Sequence, residues 1–302
     1  MTRRYCIRPV DALSIAFVLL LSVLTAVFHA RFPEPGVLLL RFAGAVLLVM
    51  ASSLARQYWP GNHILRYANV LLPIFVVLFS FDSMGKMTGY INPPDKDPLL
   101  ARLDLILFGV HPGEWMGLFV TPVLTTILQL CYTSYYFLPV ILCLMLYFNG
   151  EEDRFDRAVF GIVFGFFVSY VGYILVPALG PRYFIPDAFT HDLMRGPLAS
   201  AIDGTLNMLE GENRDAFPSG HTEIVLIILY YAWRYRRWYF WVCLPLITGL
   251  IIATVYLRYH YAVDVLAGTV LAPVCVLAGD RIYDRLTCRT TTNGAPGASR
   301  PT

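Results

Sequence analysis

Residues 158–177 read AVFGIVFGFFVSYVGYILVP, a run of twenty residues that contains no charged side chain. About 18 or more predominantly apolar residues are needed for a helix to cross the hydrocarbon core of a bilayer. The rest of the chain has the same character, since 57% of its 302 residues are hydrophobic and 15% are charged. Soluble domains carry roughly 25% charged residues. The sequence therefore predicts an all-α, polytopic membrane protein.

Further apolar blocks surround this run and predict about eight transmembrane helices in total. The predicted spans are 11–29, 37–55, 64–82, 120–148, 158–177, 218–233, 238–257 and 260–280. The first block follows three arginines, as the apolar region of a signal peptide would. No small-residue cleavage site follows it, so we expect a retained membrane anchor.

Arginines cluster at alternate ends of these spans, which predicts the orientation of the chain. The basic groups are Arg3, Arg4 and Arg8; Arg56 and Arg66; Arg154 and Arg157; Arg234, Arg236 and Arg237; and Arg281, Arg285 and Arg289. The positive-inside rule places them on the cytoplasmic side of a plasma (inner) membrane, with both chain ends inside. The segments around Arg182, Asp215 and His260 are then expected on the outer face, periplasmic or lumenal.

A longer polar segment, 83–119, separates the third and fourth spans. Its residues 92–98 read NPPDKDP, which is typical of a turn. Residues 99–108 alternate leucines and other apolar side chains with Arg102 and Asp104. This pattern predicts either a short amphipathic helix in the membrane interface or a loop packed on the rim of the bundle.

Two polar stretches carry the residues for phosphoryl-transfer chemistry. Residues 215–222 read DAFPSGHT, and residues 258–264 read RYHYAVD. His260 and Asp264 are four residues apart, so on a helix they share a face, and a carboxylate there can hold one ring nitrogen and leave the other as a nucleophile. His221 is a candidate general acid. Backbone N–H groups at Ser219 and Gly220, where a helix begins, are candidate phosphate ligands.

Each of the other candidates has a structural alternative. Arg182 is a phosphate ligand or an interfacial anchor, and Ser219 binds phosphate, caps its helix, or does both. Asp215 is a site residue or part of the turn before the helix. Arg214 and Arg258 are spare cations that would supply further positive charge at a phosphate site.

These motifs resemble those of the type 2 phosphatidic acid phosphatase superfamily, and within it the inositol phosphorylceramide and sphingomyelin synthases. The second superfamily motif, P-S-G-H, corresponds to residues 218–221, and the third ends in H-x-x-x-D, as residues 260–264 do. The first motif, K-x6-R-P, has its nearest counterpart at 180–183. The resemblance implies a six-helix core at 64–281 and two additional helices within 1–63. The turn and linker composition at the end of the chain predicts a cytoplasmic, disordered tail at 282–302.

The chain also departs from the phosphatase pattern. Leu175 stands where the first motif has lysine, and Ala253 and Thr254 stand where the third motif has Ser-Arg, so two cationic phosphate ligands are missing. Asp215 matches the aspartate of the synthases' G-D-x-x-x-S-G-H-T pattern, although Arg214 replaces the glycine. His260 and Tyr261 match the synthases' H-Y-x-x-D. The resemblance therefore favours the transferases.

The function this implies is transfer of an inositol-phosphate-like head group from a phospholipid donor to a lipid alcohol, as in sphingolipid metabolism, through a phosphohistidine. The alternative is a lipid-phosphate or polyprenyl-pyrophosphate phosphatase of the same superfamily. A transporter is less favoured, because the ionisable residues gather at one rim rather than in mid-membrane. We expect no metal, no other cofactor and no nucleic-acid partner, and the sequence gives no oligomeric state.

Overall fold

The computed structural model describes residues 7–59, 61–210 and 213–292, and this part of the chain is built from helices, with no strand. In chain order the α-helices are α1 (Pro9–Val27), α2 (Pro35–Tyr58), α3 (His63–Ile91), α4 (Asp97–Phe108), α5 (Pro112–Gly117), α6 (Pro122–Thr133), α7 (Leu138–Phe148), α8 (Glu152–Leu175), α9 (Pro181–Phe184), α10 (Pro197–Glu210), α11 (Gly220–Tyr235), α12 (Arg237–Tyr256) and α13 (Ala262–Thr292). The all-α, membrane-spanning class predicted from the sequence is confirmed.

Six of these helices, α1, α2, α3, α8, α12 and α13, are long and apolar enough to cross a membrane. The span predicted at 120–148 is a pair of helices, α6 and α7, bent by 44° at the break between them, and counting this pair as one span gives seven. The span predicted at 218–233 is α11, which has 16 residues. At 1.5 Å per residue α11 is about 24 Å long, shorter than the roughly 30 Å hydrocarbon core.

Helix α8 lies at the centre of the bundle and packs against α1, α3, α7, α11 and α13. From Ala158 onward its sequence is apolar on every side, which is the pattern of a helix surrounded by other helices. The N-terminal helices pack on this core as well, since the ring of Phe17 on α1 stacks on that of Phe167 on α8 with centroids 4.1 Å apart.

One end of the bundle, here called the basic end, is held by ion pairs between helices. Arg157 on α8 contacts Asp280 and Asp284 on α13, and Arg236 contacts Glu151. The hydrogen bond from Arg236 holds the pKa of the Glu151 carboxyl below its ordinary value. Helix α13 continues beyond the predicted span, and residues 282–292 are helical where a disordered tail was predicted to begin. The remainder of that predicted tail, 293–302, lies outside the described residues.

At the opposite end, here called the motif end, four loop segments are joined by backbone hydrogen bonds. The N–H of Lys96 donates to the carbonyl of Pro177 at 2.7 Å, and that of Ala216 donates to Ala178 at 3.0 Å. The N–H of Arg182 donates to the carbonyl of Arg258 at 3.1 Å. These contacts gather all of the sequence motifs at one end of the bundle.

The segment at 99–108 was predicted to be either an amphipathic helix or a loop on the rim of the bundle. It is helical, as part of α4, and it packs on the rim of the motif end. Helix α4 buries Asp97, Leu100, Ala101 and Asp104 and exposes most of its remaining apolar side chains. Its protein-facing side therefore carries two acidic residues, and its outward side is rich in leucine, isoleucine and phenylalanine. An amphipathic helix at the membrane interface turns such an apolar face to lipid.

Candidate active site

The two motif histidines face each other at the motif end. Nε2 of His260 lies 3.5 Å from Nδ1 of His221. Nδ1 of His260 lies 2.8 Å from the carbonyl oxygen of Ala216. A carbonyl can only accept, so Nδ1 carries the hydrogen and the neutral ring keeps its lone pair on Nε2. The lone pair of His260 therefore points towards Nδ1 of His221.

Asp264 lies close to His260 but does not make the expected hydrogen bond. Its Oδ2 is 3.6 Å from Nδ1 of His260, and the Ala216 carbonyl takes the place predicted for it. The reason is local, because Oδ2 already accepts the backbone N–H of Tyr261 at 2.9 Å in the turn that opens α13. Asp264 is fully buried, and its side chain lies beside the ring of His260.

Ser219 and Gly220, in the turn before His221, both have a structural role. The hydroxyl of Ser219 caps α11 by accepting the N–H of Thr222 at 3.3 Å, and Ser219 is fully buried. A Cβ at Gly220 would lie 2.1 Å from the hydroxyl of Tyr173, so glycine is needed there for α11 to approach α8. The capping role predicted as an alternative for Ser219 is present in the structure. Phosphate binding by Ser219 and Gly220 stays a prediction.

Arg182 is placed at the site by α9. Its guanidinium donates to Oδ1 of Asn207 at 2.9 Å and lies over the rings of Tyr183 and Tyr259, 4.6 and 4.4 Å from their centroids. Such stacking orients a planar guanidinium while leaving other N–H groups for a phosphate. Arg182 and both histidines line the same cavity.

Of the three further candidates, the structure brings one to this cavity. Asp215 lies in the cavity wall. Arg214 instead forms an ion pair with Asp95. Arg258 donates to the carbonyl of His191 and lies over the ring of Phe189 at 4.2 Å. Both cations thus contact neighbouring loops and neither lines the cavity, and their role as phosphate ligands stays a prediction.

The cavity has a volume of about 530 Å³ and runs from the histidines into the bundle. Its wall is formed by side chains of α3, α7 and α8, nearly all of them apolar. Along α8 it extends from Tyr173 to Phe155, about 27 Å at the helical rise of 1.5 Å per residue. Lining residues such as Leu71 and Leu78 on α3 are also exposed on the outside of the bundle. The cavity therefore joins the polar site to the lipid-facing surface.

Comparison with known proteins gives the family. A model of the PAP2 superfamily matches residues 100–278, more than half of the chain. The chain belongs to the PAP2 superfamily. It is also similar to a PA-phosphatase related-family protein of Dictyostelium discoideum, with 24% identity over 272 residues that cover 77% of this chain and 49% of the relative. The chain thus spans about half the length of that curated relative. No solved structure matches it.

The structure of this PAP2 protein adds two tyrosines that the motifs do not indicate. The rings of Tyr132 and Tyr135 lie 4.6 and 4.3 Å from the ring of His221, centroid to centroid. Aromatic residues of membrane helices belong more often to the helix core or to the interface belt than to a site. Tyr132 lies in the last turn of α6, and Tyr135 lies in the 3₁₀ turn Ser134–Tyr136 that separates α6 from α7. This irregular turn is the local signal, because such turns often accompany functional sites.

Two acidic residues on α4 also reach the PAP2 site. Asp97 accepts the backbone N–H groups of Leu179 and Gly180, and Asp104 accepts those of Ala262 and Val263. Burial raises the pKa of the Asp104 carboxyl, and its two N–H partners oppose that shift. The spacing of seven residues on an amphipathic helix is the signal in the sequence. No group of three or more His, Cys, Asp and Glu among the described residues is arranged to hold a metal ion.

Proposed function

We propose that this PAP2 protein transfers a phosphorylated head group between membrane lipids through a phosphohistidine at His260. The observation that supports this is the geometry of the histidine pair at the mouth of an apolar cavity. Nε2 of His260 carries the lone pair of the neutral ring, since Nδ1 donates to the Ala216 carbonyl, and Nδ1 of His221 lies 3.5 Å from Nε2. A nucleophile and a general acid at that distance can act on one phosphorus atom and its leaving oxygen.

The reaction has two steps. In the first, the lone pair on Nε2 of His260 forms a bond to phosphorus, the phosphorus–oxygen bond to the lipid alcohol breaks, and His221 gives its proton to that oxygen. In the second, His221 takes the proton of an acceptor hydroxyl, whose oxygen attacks phosphorus as the nitrogen–phosphorus bond breaks. Arg182 and the amides at the start of α11 neutralise the phosphate oxygens.

The charge of the cavity favours a phosphodiester donor over a terminal phosphate. Among the described residues Arg182 is the one lysine or arginine side chain in the cavity wall, and Asp215 adds a negative charge. At the positions of the missing ligands, Leu175 is 65% exposed and the hydroxyl of Thr254 donates to the carbonyl of Ile251. A single guanidinium matches the single charge of a diester better than the two charges of a monoester.

The cavity also indicates substrates with long apolar chains. It is open to the lipid-facing surface between α3 and α7, so a phospholipid donor and a lipid alcohol acceptor can reach His260 without leaving the bilayer. An inositol-phosphate-like head group would then lie at the motif end, beside Arg182. The second candidate function, a lipid-phosphate phosphatase in which water takes the place of the acceptor, is favoured by the name of the Dictyostelium relative.

The choice between these reactions is testable with purified protein in lipid nanodiscs. We expect transfer of head group from phosphatidylinositol to ceramide or diacylglycerol to be at least about tenfold faster than phosphate release from phosphatidic acid, because a bound acceptor hydroxyl outcompetes water. Labelled lipids separated by thin-layer chromatography measure the first rate, and free phosphate measures the second. His260→Ala is the control. Rapid phosphate release without use of any diester would establish the phosphatase instead.

We further propose that the motif end faces the outside of the plasma membrane and the basic end faces the cytoplasm. The ion pairs of Arg157, Arg234 and Arg236 all lie at the basic end. Loops rich in arginine remain on the cytoplasmic side.

Impermeant thiol reagents test this orientation in intact cells. We expect a cysteine at Pro186 or at Pro94 to be labelled from outside and a cysteine at Asp153 to be protected until the membrane is permeabilised. All three positions are exposed in the structure, so protection reports the membrane rather than burial. The unmodified chain measures labelling of its own cysteines. Labelling of Asp153→Cys with protection of Pro186→Cys would place the site on the cytoplasmic face.

A further inference from the structure

Helix α4 has two acidic residues on the side that faces the protein. Asp97 is 0% exposed and Asp104 is 2% exposed. They are seven residues apart, so their backbones are separated by about 10.5 Å, or two turns, along the helix. Burial of a carboxylate is costly unless hydrogen bonds compensate for lost water. The partners of these two carboxylates therefore show what the helix holds in place.

Asp97 joins the turn before Arg182 to the residue after His260. Its Oδ2 accepts the N–H of Leu179 at 2.9 Å, and its Oδ1 accepts the N–H of Gly180 at 2.9 Å. The same Oδ1 accepts the hydroxyl of Tyr261 at 3.0 Å. One carboxylate thus contacts both the phosphate-binding segment and the segment of the nucleophile, 82 to 164 residues away along the chain.

The turn that Asp97 holds has little freedom to move elsewhere. Gly180 has φ of +91°, and a Cβ there would lie 2.5 Å from the carbonyl oxygen of Tyr259. The turn is therefore pressed against the backbone just before His260. Pro181 then begins α9, whose second residue is Arg182.

Asp104 holds the start of α13. Its Oδ2 accepts the N–H of Ala262 at 3.0 Å, and its Oδ1 accepts the N–H of Val263 at 2.9 Å. These are among the N–H groups at a helix start that have no partner within the helix, and a carboxylate satisfies both their hydrogen bonds and the helix dipole. The two residues lie between His260 and Asp264, so the cap fixes where the catalytic turn enters the helix.

We infer that α4 sets the distance between the phosphate-binding Arg182 and the nucleophilic His260, with Asp97 and Asp104 as positioning residues. This inference rests on the proposed function. Both acidic residues act through backbone and hydroxyl groups of the site, and neither lines the cavity. A displacement of about 1 Å between reacting groups can cost roughly 100-fold in rate. Loss of either carboxylate is therefore expected to reduce catalysis even though neither touches the substrate.

A double-mutant cycle separates positioning from general destabilisation. We expect Asp97→Asn to lower kcat/KM for the diester donor by roughly 10- to 100-fold, because an amide cannot accept both N–H groups. In an Arg182→Ala background the same change should cost less than about threefold, because the residue positioned by Asp97 is already gone. Arg102→Ala, on the exposed side of the same helix, is the matched control and should stay within about twofold of the wild type.

If the losses of kcat/KM from Asp97→Asn and Arg182→Ala multiply in the double variant, Asp97 has a structural role only, and the inference is overturned. Wild-type kinetics for Asp97→Asn would overturn it as well. Tyr261→Phe provides a milder variant if the asparagine protein does not fold. It removes one hydrogen bond to Asp97 and keeps the ring, so we expect a several-fold loss of kcat that is likewise reduced in the Arg182→Ala background.

Hydrogen exchange gives a readout that does not depend on activity. We expect faster exchange at residues 178–183 in Asp97→Asn and at residues 261–264 in Asp104→Asn, with exchange at the basic end unchanged. Unchanged exchange in both segments would overturn the inference even if the variants lose activity. If the wild type catalyses no phosphoryl transfer, the proposed function fails, whereas local exchange still decides whether α4 holds these two segments.

Discussion

Replacement of His260 by alanine is expected to reduce turnover by at least about 10⁴-fold, because the proposed covalent intermediate can no longer form. In the structure Nε2 of His260 carries the lone pair of the ring, because Nδ1 donates to the carbonyl of Ala216. Nδ1 of His221 lies 3.5 Å from Nε2, where His221 can supply the proton. Turnover of a labelled diester lipid in nanodiscs measures the loss. The substitution removes a nearly buried side chain, so thermal unfolding must be compared with that of the wild type.

His29→Ala is the matched control for this experiment. His29 is an exposed histidine whose ring contacts the carbonyl of Ala26, and it does not line the cavity. Its loss should leave turnover within about twofold of the wild-type rate. Folded His260→Ala protein that retains more than a few per cent of wild-type turnover would exclude His260 as the nucleophile.

The parts of this fold that the sequence predicts are those set by local composition. Each of the eight apolar blocks forms helix, because a long apolar run has no other way to satisfy its backbone in a bilayer. The exceptions have local causes. Helix α11 has only 16 residues because its start is taken by the Ser219 cap and the next helix begins at Arg237. Helix α13 continues past its predicted end, and Arg157 of α8 pairs there with Asp284.

The same distinction applies to the site. His260 and Asp264 are four residues apart, and their proximity was predicted from a shared helical face. The structure brings them within 3.6 Å, but His260 lies in the turn before α13, which begins at Ala262, so the shared helical face is wrong. The hydrogen bond between His260 and the carbonyl of Ala216 joins residues 44 apart and depends on how two loops meet. The contacts of Arg214 and Arg258 could not be predicted either. Their partners, Asp95 and His191, lie in loops whose positions the sequence does not specify.

Helix α4 shows why a pattern of polar and apolar residues can be misleading in a membrane protein. In a soluble protein the apolar side of such a helix would face the core. Here the lipid is the apolar partner, so the side with Leu105 and Ile106 is exposed and the side with Asp97 and Asp104 is buried against backbone N–H groups. The two carboxylates were visible in the sequence, but their donors come from segments more than 80 residues away.

Replacement of His221 by alanine is expected to lower turnover by roughly 10²- to 10⁴-fold, the usual contribution of a general acid and base. Its effect should depend on the leaving group, whereas that of His260→Ala should not. A 4-nitrophenolate leaving group needs no proton at neutral pH, so a 4-nitrophenyl phosphodiester bypasses the acid in the first step. The second step still requires a base to take the proton of the acceptor.

With that substrate, His221→Ala should release close to one equivalent of nitrophenolate per protein and then stall, because the phosphohistidine forms and is not resolved. Rapid-mixing absorbance measures the burst, and an acid-labile label on the protein identifies the intermediate when the donor carries labelled phosphorus. His260→Ala should show neither burst nor label. A burst in His260→Ala with none in His221→Ala would make His221 the nucleophile and His260 the acid. The experiment has to test this exchange, because Nδ1 of His221 lies only 3.5 Å from Nε2 of His260 and both rings face the site.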